Sequence, residues 1–380
     1  MFNIIILGIT SLLTDISSEM IYPILPVFLV NTLGASPAIL GLIEGIAESV
    51  ASLLKVFSGY WSDKIKRRKP FAIFGYANSA AGKLFLFFAN SWTFVLFGRI
   101  IERFGKGVRT APRDALIAEA TSSGQRGAAF GLHRSLDALG AVGGVILAYF
   151  FVVYYKGNIR NIFLMSLVPA FLGVLFLFLV KEKKAIVEKS APRLKFQWKT
   201  LDKKLKLFLI FTFLFTLGNS SNQFLLLKAK DAGNPLTAVI LLYLVYNISR
   251  VIFTYPASRL SDRIGRKKIL VLGYFIYALV YLGFAMNTSL SVFWVLFGVY
   301  GLYMGFTEGV EKALITDIAP QHLKATTMGL HATLVGIGLL PASLLAGLLW
   351  KFVSPAAPFY FGAVMGLIST AGLWFILKDL

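Results

Sequence analysis

The chain has no cysteine and only three histidines, His133, His322 and His331. Disulfides, thiolate nucleophiles and cysteine-ligated metals are therefore excluded, and neither a metal site nor any other cofactor is expected. Acidic residues are scarce, 18 Asp and Glu against 38 Lys and Arg. The sequence contains no Walker-type phosphate loop and no Gly-x-Ser-x-Gly elbow, which argues against an ATP-driven pump and a serine hydrolase. Its first apolar stretch, from Phe2, has no basic leader and no small-residue cleavage site. It is expected to be a retained span and not a signal peptide.

Apolar residues are what the chain has in excess. They make up 57% of 380 residues, and mean hydropathy is +0.73, more apolar surface than a water-soluble globule of this length can hide. Runs of spanning length fall near 3–31, 37–61, 70–90, 93–118, 127–153, 160–181, 206–228, 236–260, 268–287, 290–317, 325–350 and 355–377. A bilayer core takes roughly 20 helical residues to cross, so these predict an all-α integral membrane protein of twelve helices, numbered here in chain order. The net charge of +20 then reads as orientation and not as a nucleic-acid footprint. Links after even-numbered helices carry Lys64, Lys66, Arg67, Arg68 and Lys69, then Arg126, then Arg263, Arg266, Lys267 and Lys268, whereas the links Asn31–Ser36 and Asn287–Ser289 carry no charge. Both termini are expected in the cytoplasm, with the chain in the plasma membrane. Lys181–Lys206, with ten basic residues, reads as a cytoplasmic linker (183–205) between an N-terminal bundle (1–182) and a C-terminal one (206–380).

The two halves repeat. Asp114-Ala-Leu-Ile-Ala-Glu119 matches Lys312-Ala-Leu-Ile-Thr-Asp317 at an offset of 198, and Gly131-Leu132-His133 matches Gly329-Leu330-His331 in the same register. Ser62-Asp63-Lys64-Ile65 matches Ser261-Asp262-Arg263-Ile264 at 199. Duplicated six-helix bundles related by a pseudo-two-fold axis follow.

The loop after helix 2, Gly59-Tyr60-Trp61-Ser62-Asp63-Lys64-Ile65-Lys66-Arg67-Arg68, resembles the signature of the major facilitator superfamily, as does Ser258 to Lys267 after helix 8. Lys66 stands where the signature prefers Gly, and Ser258 replaces the leading Gly of the second copy. The resemblance implies twelve helices, alternating access and a cytoplasmic gate in which Asp63 meets the start of helix 11 and Asp262 the start of helix 5. Arg67, Arg113, Arg266 and Lys312 complete that expected gate.

Helix 4 carries Arg99, Glu102, Arg103, Lys106, Arg109, Arg113 and Asp114 within an arc of roughly 140°. Such a face cannot look at lipid, where each central charge costs on the order of 2.5–3.5 kcal/mol, so it lines water or meets partners. Arg103-Phe104-Gly105-Lys106-Gly107 is similar to the superfamily's helix-4 motif, whose arginine is linked to proton movement, with Lys106 in place of the usual Gln. Partners stand at matching depth: Asp15 and Glu19 one turn apart on helix 1 with Tyr22 on their stripe, Glu44 and Glu48 on helix 2, Arg134 and Asp137 on helix 5. In the C-terminal half the candidates are Asn219 and Asn222 on helix 7, Arg250, Glu308 and Glu311. Helices 6, 9 and 12 have no ionised residue in their cores and helix 3 has only Lys83, a rhythm that matches the superfamily's plan, in which every third helix is peripheral.

Tyr22-Pro23-Ile24-Leu25-Pro26, and Gly140, Gly143 and Gly144 on helix 5, resemble motifs of drug/proton antiporters, with Ala141 where the second has proline; close helix packing is the alternative for the glycines. His133 and His331 read as polar packing residues, and the 34 Phe as lipid-facing and core filling. The expected function is proton-coupled export of small organic molecules by a monomer, with an organic-anion carrier using helix 4 as the alternative. A membrane-embedded enzyme is disfavoured, because the acids are spread over several helices. A reporter fused after Leu380 is expected to be active on the cytoplasmic side; activity only outside the cell overturns the topology.

Overall fold

The computed structural model describes residues 2–65, 67–121, 125–182, 201–319 and 324–376, without the side chains of Asp63 and of 324–326. All regular structure among them is helical. Helix α1 runs Phe2–Ile21 and, after a turn forced by Pro23, continues as Leu25–Val27 and a π-helical turn Phe28–Thr32. The first half continues with α2 Pro37–Ile65, α3 Lys69–Phe87, α4 Trp92–Glu119, α5 Arg126–Tyr154 and α6 Ile159–Leu177. In the second half α7 is split into Lys203–Gly218 and Gln223–Asp231, and α8 Leu236–Ile264, α9 Arg266–Met286, α10 Leu290–Ile318, α11 Lys324–Phe352 and α12 Ala357–Ile376 follow. Most of the linker expected at 183–205 lies outside the described residues, and Lys203–Leu205 already belong to α7.

Among the described residues eight helices are long and apolar enough to cross a membrane by length and composition. The other four have physical reasons to fall short. α4 and α2 carry their ionised faces, α3 carries Lys69 and Lys83 and is rich in small residues, and α7 is broken at Asn219–Asn222.

The chain divides into two compact units, one of Met1–Ala35 and Ile46–Arg193, the other of Ser36–Gly45 and Leu194–Leu380. Each is built on the same helix pairs. In the first, α1 packs on α5 and α6, and α3 on α4 and α6; in the second, α7 packs on α11 and α12, and α9 on α10 and α12. The α2–α4 crossing has its equivalent in α8–α10. Gly107 faces Ala51 and Leu54, and Gly305, 198 residues on, faces Phe253 and Thr254. One ion pair is repeated as well: Arg68 at the head of α3 meets Glu119 at the foot of α4 at 2.5 Å, and Arg266 meets Asp317 at 2.7 Å.

The same crossing explains the altered signature copy. In the first unit Gly59 of α2 faces Ala111 of α4, whose Cβ lies 3.3 Å from the position a Gly59 Cβ would take. In the second unit Ser258 replaces the glycine, and the facing residue is Gly309, with the Ser258 Oγ only 3.0 Å from its Cβ position. The space is conserved while the residue that vacates it changes sides. Gly265, between α8 and α9, has φ +99°, a conformation that strains any side chain, which accounts for Gly at that signature position. Its counterpart Lys66 lies outside the described residues.

Gly59→Ser is expected to destabilise the protein by about 1–3 kcal/mol through overpacking, and adding Ala111→Gly is expected to recover most of that loss. Thermal unfolding of the purified single and double variants measures this. A double variant no more stable than Gly59→Ser rejects the exchange.

Candidate functional site

The ionised face of α4 is the framework of the site. Arg99 Nη1 donates to Glu102 Oε2 at 2.6 Å one turn on, with both residues buried. Arg103 Nη2 meets Glu48 Oε1 of α2 at 2.9 Å. Arg109 donates to Ser79 Oγ of α3 and lies over the Tyr76 ring, 4.4 Å from its centroid, while Ser79 Oγ donates to the Glu102 carbonyl at 2.9 Å. Arg113 grips Asp114 Oδ1 at 2.8 Å and reaches Ser11 Oγ of α1 at 3.3 Å. Most of these charges are thus compensated inside the unit, as burial in hydrocarbon requires.

Helix α1 is held against α5 where its two acids stand. A Cβ on Gly140 would meet the Leu12 carbonyl at 2.6 Å and Asp15 Cβ at 3.1 Å; one on Gly144 would meet the Ile16 carbonyl at 2.5 Å and Glu19 Cβ at 2.8 Å. The glycines of α5 therefore let the α1 backbone approach at the levels of Asp15 and Glu19. Gly143 has only a distant contact with Ile16.

These elements line a small polar cavity within the first unit. Asp15, Glu19 and Tyr22 of α1 and Arg99, Glu102, Arg103, Lys106 and Arg109 of α4 line it, with Ser18 and Ser79. Asp15 and Lys106 have no ion pair or side-chain hydrogen bond among the described residues. Asp15 is subject to the charges of Asp137, Lys106, Glu19 and Arg109 without touching them.

The other expected residues lie elsewhere. Asp137 pairs with His133, Oδ2 to Nδ1 3.5 Å, and Arg134 is exposed. Glu44, on the first turns of α2 that group with the second unit, accepts from Ser221 Oγ at 3.3 Å. Arg250 clamps Glu308 with two bonds, 3.0 and 2.7 Å. Glu311 accepts from Tyr274 at 3.0 Å and lies 3.2 Å from His331 Nε2. Of the expected gate residues, Asp262 is 3.4 Å from Arg266, Arg67 and Lys312 are exposed, and the Asp63 side chain lies outside the described residues.

Two features escaped the sequence reading. Lys83, on a helix expected to be peripheral, is fully buried and points inward, donating to Ser17 Oγ at 2.5 Å and Ser18 Oγ at 3.1 Å, with no carboxylate within ion-pair distance among the described residues. The signal was available: it is a lone cation in an apolar span. The second is a tyrosine cluster around the α7 break. Tyr277 donates to the freed Gly218 carbonyl at 2.8 Å, Tyr300 to Asn222 Oδ1 at 2.8 Å, and Asn219 and Asn222 donate to Tyr303 and Tyr246 at 3.2 and 3.3 Å. Phe215 stacks on Tyr274 at 3.8 Å. The cluster supplies partners that a broken helix cannot find in lipid. Among the described residues no group of three or more His, Cys, Asp or Glu could hold a metal.

Lys83→Met is expected to leave the protein as stable as the parent or more so, because it removes a desolvated charge and keeps side-chain volume, while lowering transport severalfold through the altered field at Asp15 and Glu102. Thermal unfolding and transport measured on one preparation check this. Lost stability with unchanged transport per folded molecule would make Lys83 purely structural.

A family model described as Major Facilitator Superfamily matches residues 7–227 and 207–379. An uncharacterized MFS-type transporter of Methanocaldococcus jannaschii is 40% identical over 98% of this chain and 94% of its own length. The quinolone resistance protein NorA of Staphylococcus aureus is 26% identical over 37% of this chain and 36% of its own. Among solved structures, the nucleoside transporter NupG superposes with a TM-score of 0.81 over all of both chains at 14% identity, which speaks to the fold alone.

Proposed function

The chain belongs to the Major Facilitator Superfamily, a multi-pass membrane transporter and not an enzyme, and we propose that it couples export of small organic molecules to protons by alternating access. The observation that carries this reading is Asp15, a carboxylate with no direct partner in a cavity whose α4 wall is basic. A carboxylate gains a proton readily when no cation is near and loses it when one approaches. Rearrangement of α1 against α4 alternates these conditions, with Glu19 as the second proton-exchanging group. The partial similarity to NorA supports export over uptake.

In this reading two six-helix bundles rock about the site in the plasma membrane, both termini are cytoplasmic, and 183–205 links the bundles. Asp63, Arg67 and Arg113, with Asp262, Arg266 and Lys312, form the cytoplasmic gate. Lys106, exposed to the cavity without a partner, favours a second reading, an organic-anion carrier.

Asp15→Asn and Glu19→Gln are expected to leave the protein folded and able to exchange substrate at saturating concentration, yet to abolish accumulation driven by an imposed pH gradient in proteoliposomes. If both variants, singly and together, still concentrate substrate on a pH gradient alone, coupling lies elsewhere, and Glu308 and Glu311 are next.

A further inference from the structure

Two charges of opposite sign that line the cavity of the first unit have no ion pair or side-chain hydrogen bond among the described residues. Arg99 is met by Glu102, Arg103 by Glu48, and Arg109 by Ser79 and the Tyr76 ring. Asp15 and Lys106 line the same space and influence each other without contact. We propose that this cavity binds a small zwitterion, its ammonium on Asp15 and its carboxylate or phosphate on Lys106. The proposal rests on the transport reading above and names its substrate class.

Three observations converge on that class. A monoanion would satisfy Lys106 and leave Asp15 beside a like charge, and a monocation would do the reverse; a zwitterion satisfies both, an amino acid adding no net charge to a partly dry site and an amino phosphate about one negative charge or less. All ten lining residues are ionisable or carry a hydroxyl, so no aliphatic wall rewards a lipophilic body. The space is small as well as polar, which suits a ligand of no more than a few carbons. Because substrate ammonium and proton compete for Asp15, arrival of a proton there would release the ligand, which joins binding to coupling.

The test is thermal unfolding of the purified full-length protein, since a ligand of the folded state stabilises by mass action. Glycine, β-alanine and 4-aminobutyrate are compared with butyrate and butylamine, and phosphoethanolamine with ethyl phosphate and ethanolamine. At least one zwitterion is expected to raise the melting temperature more than its two halves at equal concentration, and the responding series identifies the anion. Asp15→Asn should reduce that response to the level of the matching anion, Lys106→Gln to that of the matching amine, with affinity at least tenfold weaker in each; Asp15→Glu and Lys106→Arg, which keep the charges, should retain it. Equal stabilisation by butyrate or butylamine alone, a zwitterion response untouched in both neutral variants, or no response to any zwitterion overturns the proposal. Any of these outcomes with the pH-gradient response of Asp15→Asn still lost removes the ligand class and leaves proton coupling standing. A zwitterion response with coupling intact in Asp15→Asn does the opposite.

Discussion

The first unit depends on how the charges of α4 are satisfied. Seven ionisable residues lie on one face of a helix in a chain built for lipid, where each central charge costs on the order of 2.5–3.5 kcal/mol unless compensated. Compensation needs neighbours close enough to touch, and the packing is arranged for that. α3 and α4 meet backbone to backbone at Gly75, Gly82, Gly98 and Gly105, where an added Cβ would lie within 3 Å of the opposing chain. That approach brings Ser79 and Tyr76 onto Arg109 and places Ser79 on the Glu102 carbonyl. On the other flank, Gly107 seats α4 on Ala51 and Leu54, one turn beyond Glu48, which pairs with Arg103. Small residues thus set the distances at which large charged ones can pair.

The second unit meets the same constraint with different chemistry. Its helix pairs, its α8–α10 crossing and its Arg266–Asp317 bond repeat those of the first unit. Its interior polarity, however, comes largely from backbone exposed at the break in α7, and hydroxyls suffice to satisfy backbone. Seven buried tyrosines from α8, α9 and α10 gather there, where the first unit has arginines and carboxylates. Duplication has held the backbone geometry while the side chains inside it diverged. The exchange of glycine between Gly59–Ala111 and Ser258–Gly309 is the same principle on the scale of one contact: the distance is retained, and either partner can provide it.

Much of this was legible in the sequence because membrane helices announce themselves by length and hydropathy, and because a charged residue in a span is costly enough to be informative alone. The twelve spans, the duplication, the α4 face and the Asp15–Glu19 stripe all follow from period and cost. What could not be read depends on reach and register. Lys83 sits on a helix whose other residues mark it as peripheral, and only its four-carbon stem carries the ammonium to Ser17 and Ser18 on α1. Arg68, and not its neighbour Arg67, finds Glu119, because one residue is 100° of rotation at a helix start. The tyrosines at 274, 277 and 281 have the spacing of any core stripe, and nothing in that spacing shows that a broken helix lies opposite.

A network in which every charge has a fixed partner is stable and inert, since binding or protonation must first break a pair. The Arg250–Glu308 clamp of the second unit, with both guanidinium bonds on one carboxylate oxygen, has that character. Asp15 and Lys106 have the opposite one. Each is held by close packing, Asp15 by Gly140 against its Cβ and Lys106 by a helix whose neighbours on either side, Gly105 and Gly107, are locked against α3 and α2, yet neither charge has a fixed side-chain partner among the described residues. Two preorganised charges without partners, kept apart in a small polar cavity, leave the site's electrostatic balance to be completed from outside, by a proton, by a ligand, or by each in turn. Alternation between those states is what a coupled carrier requires, and in this reading the fixed pairs of the neighbouring charges, Arg99 with Glu102 and Arg103 with Glu48, keep those charges out of it.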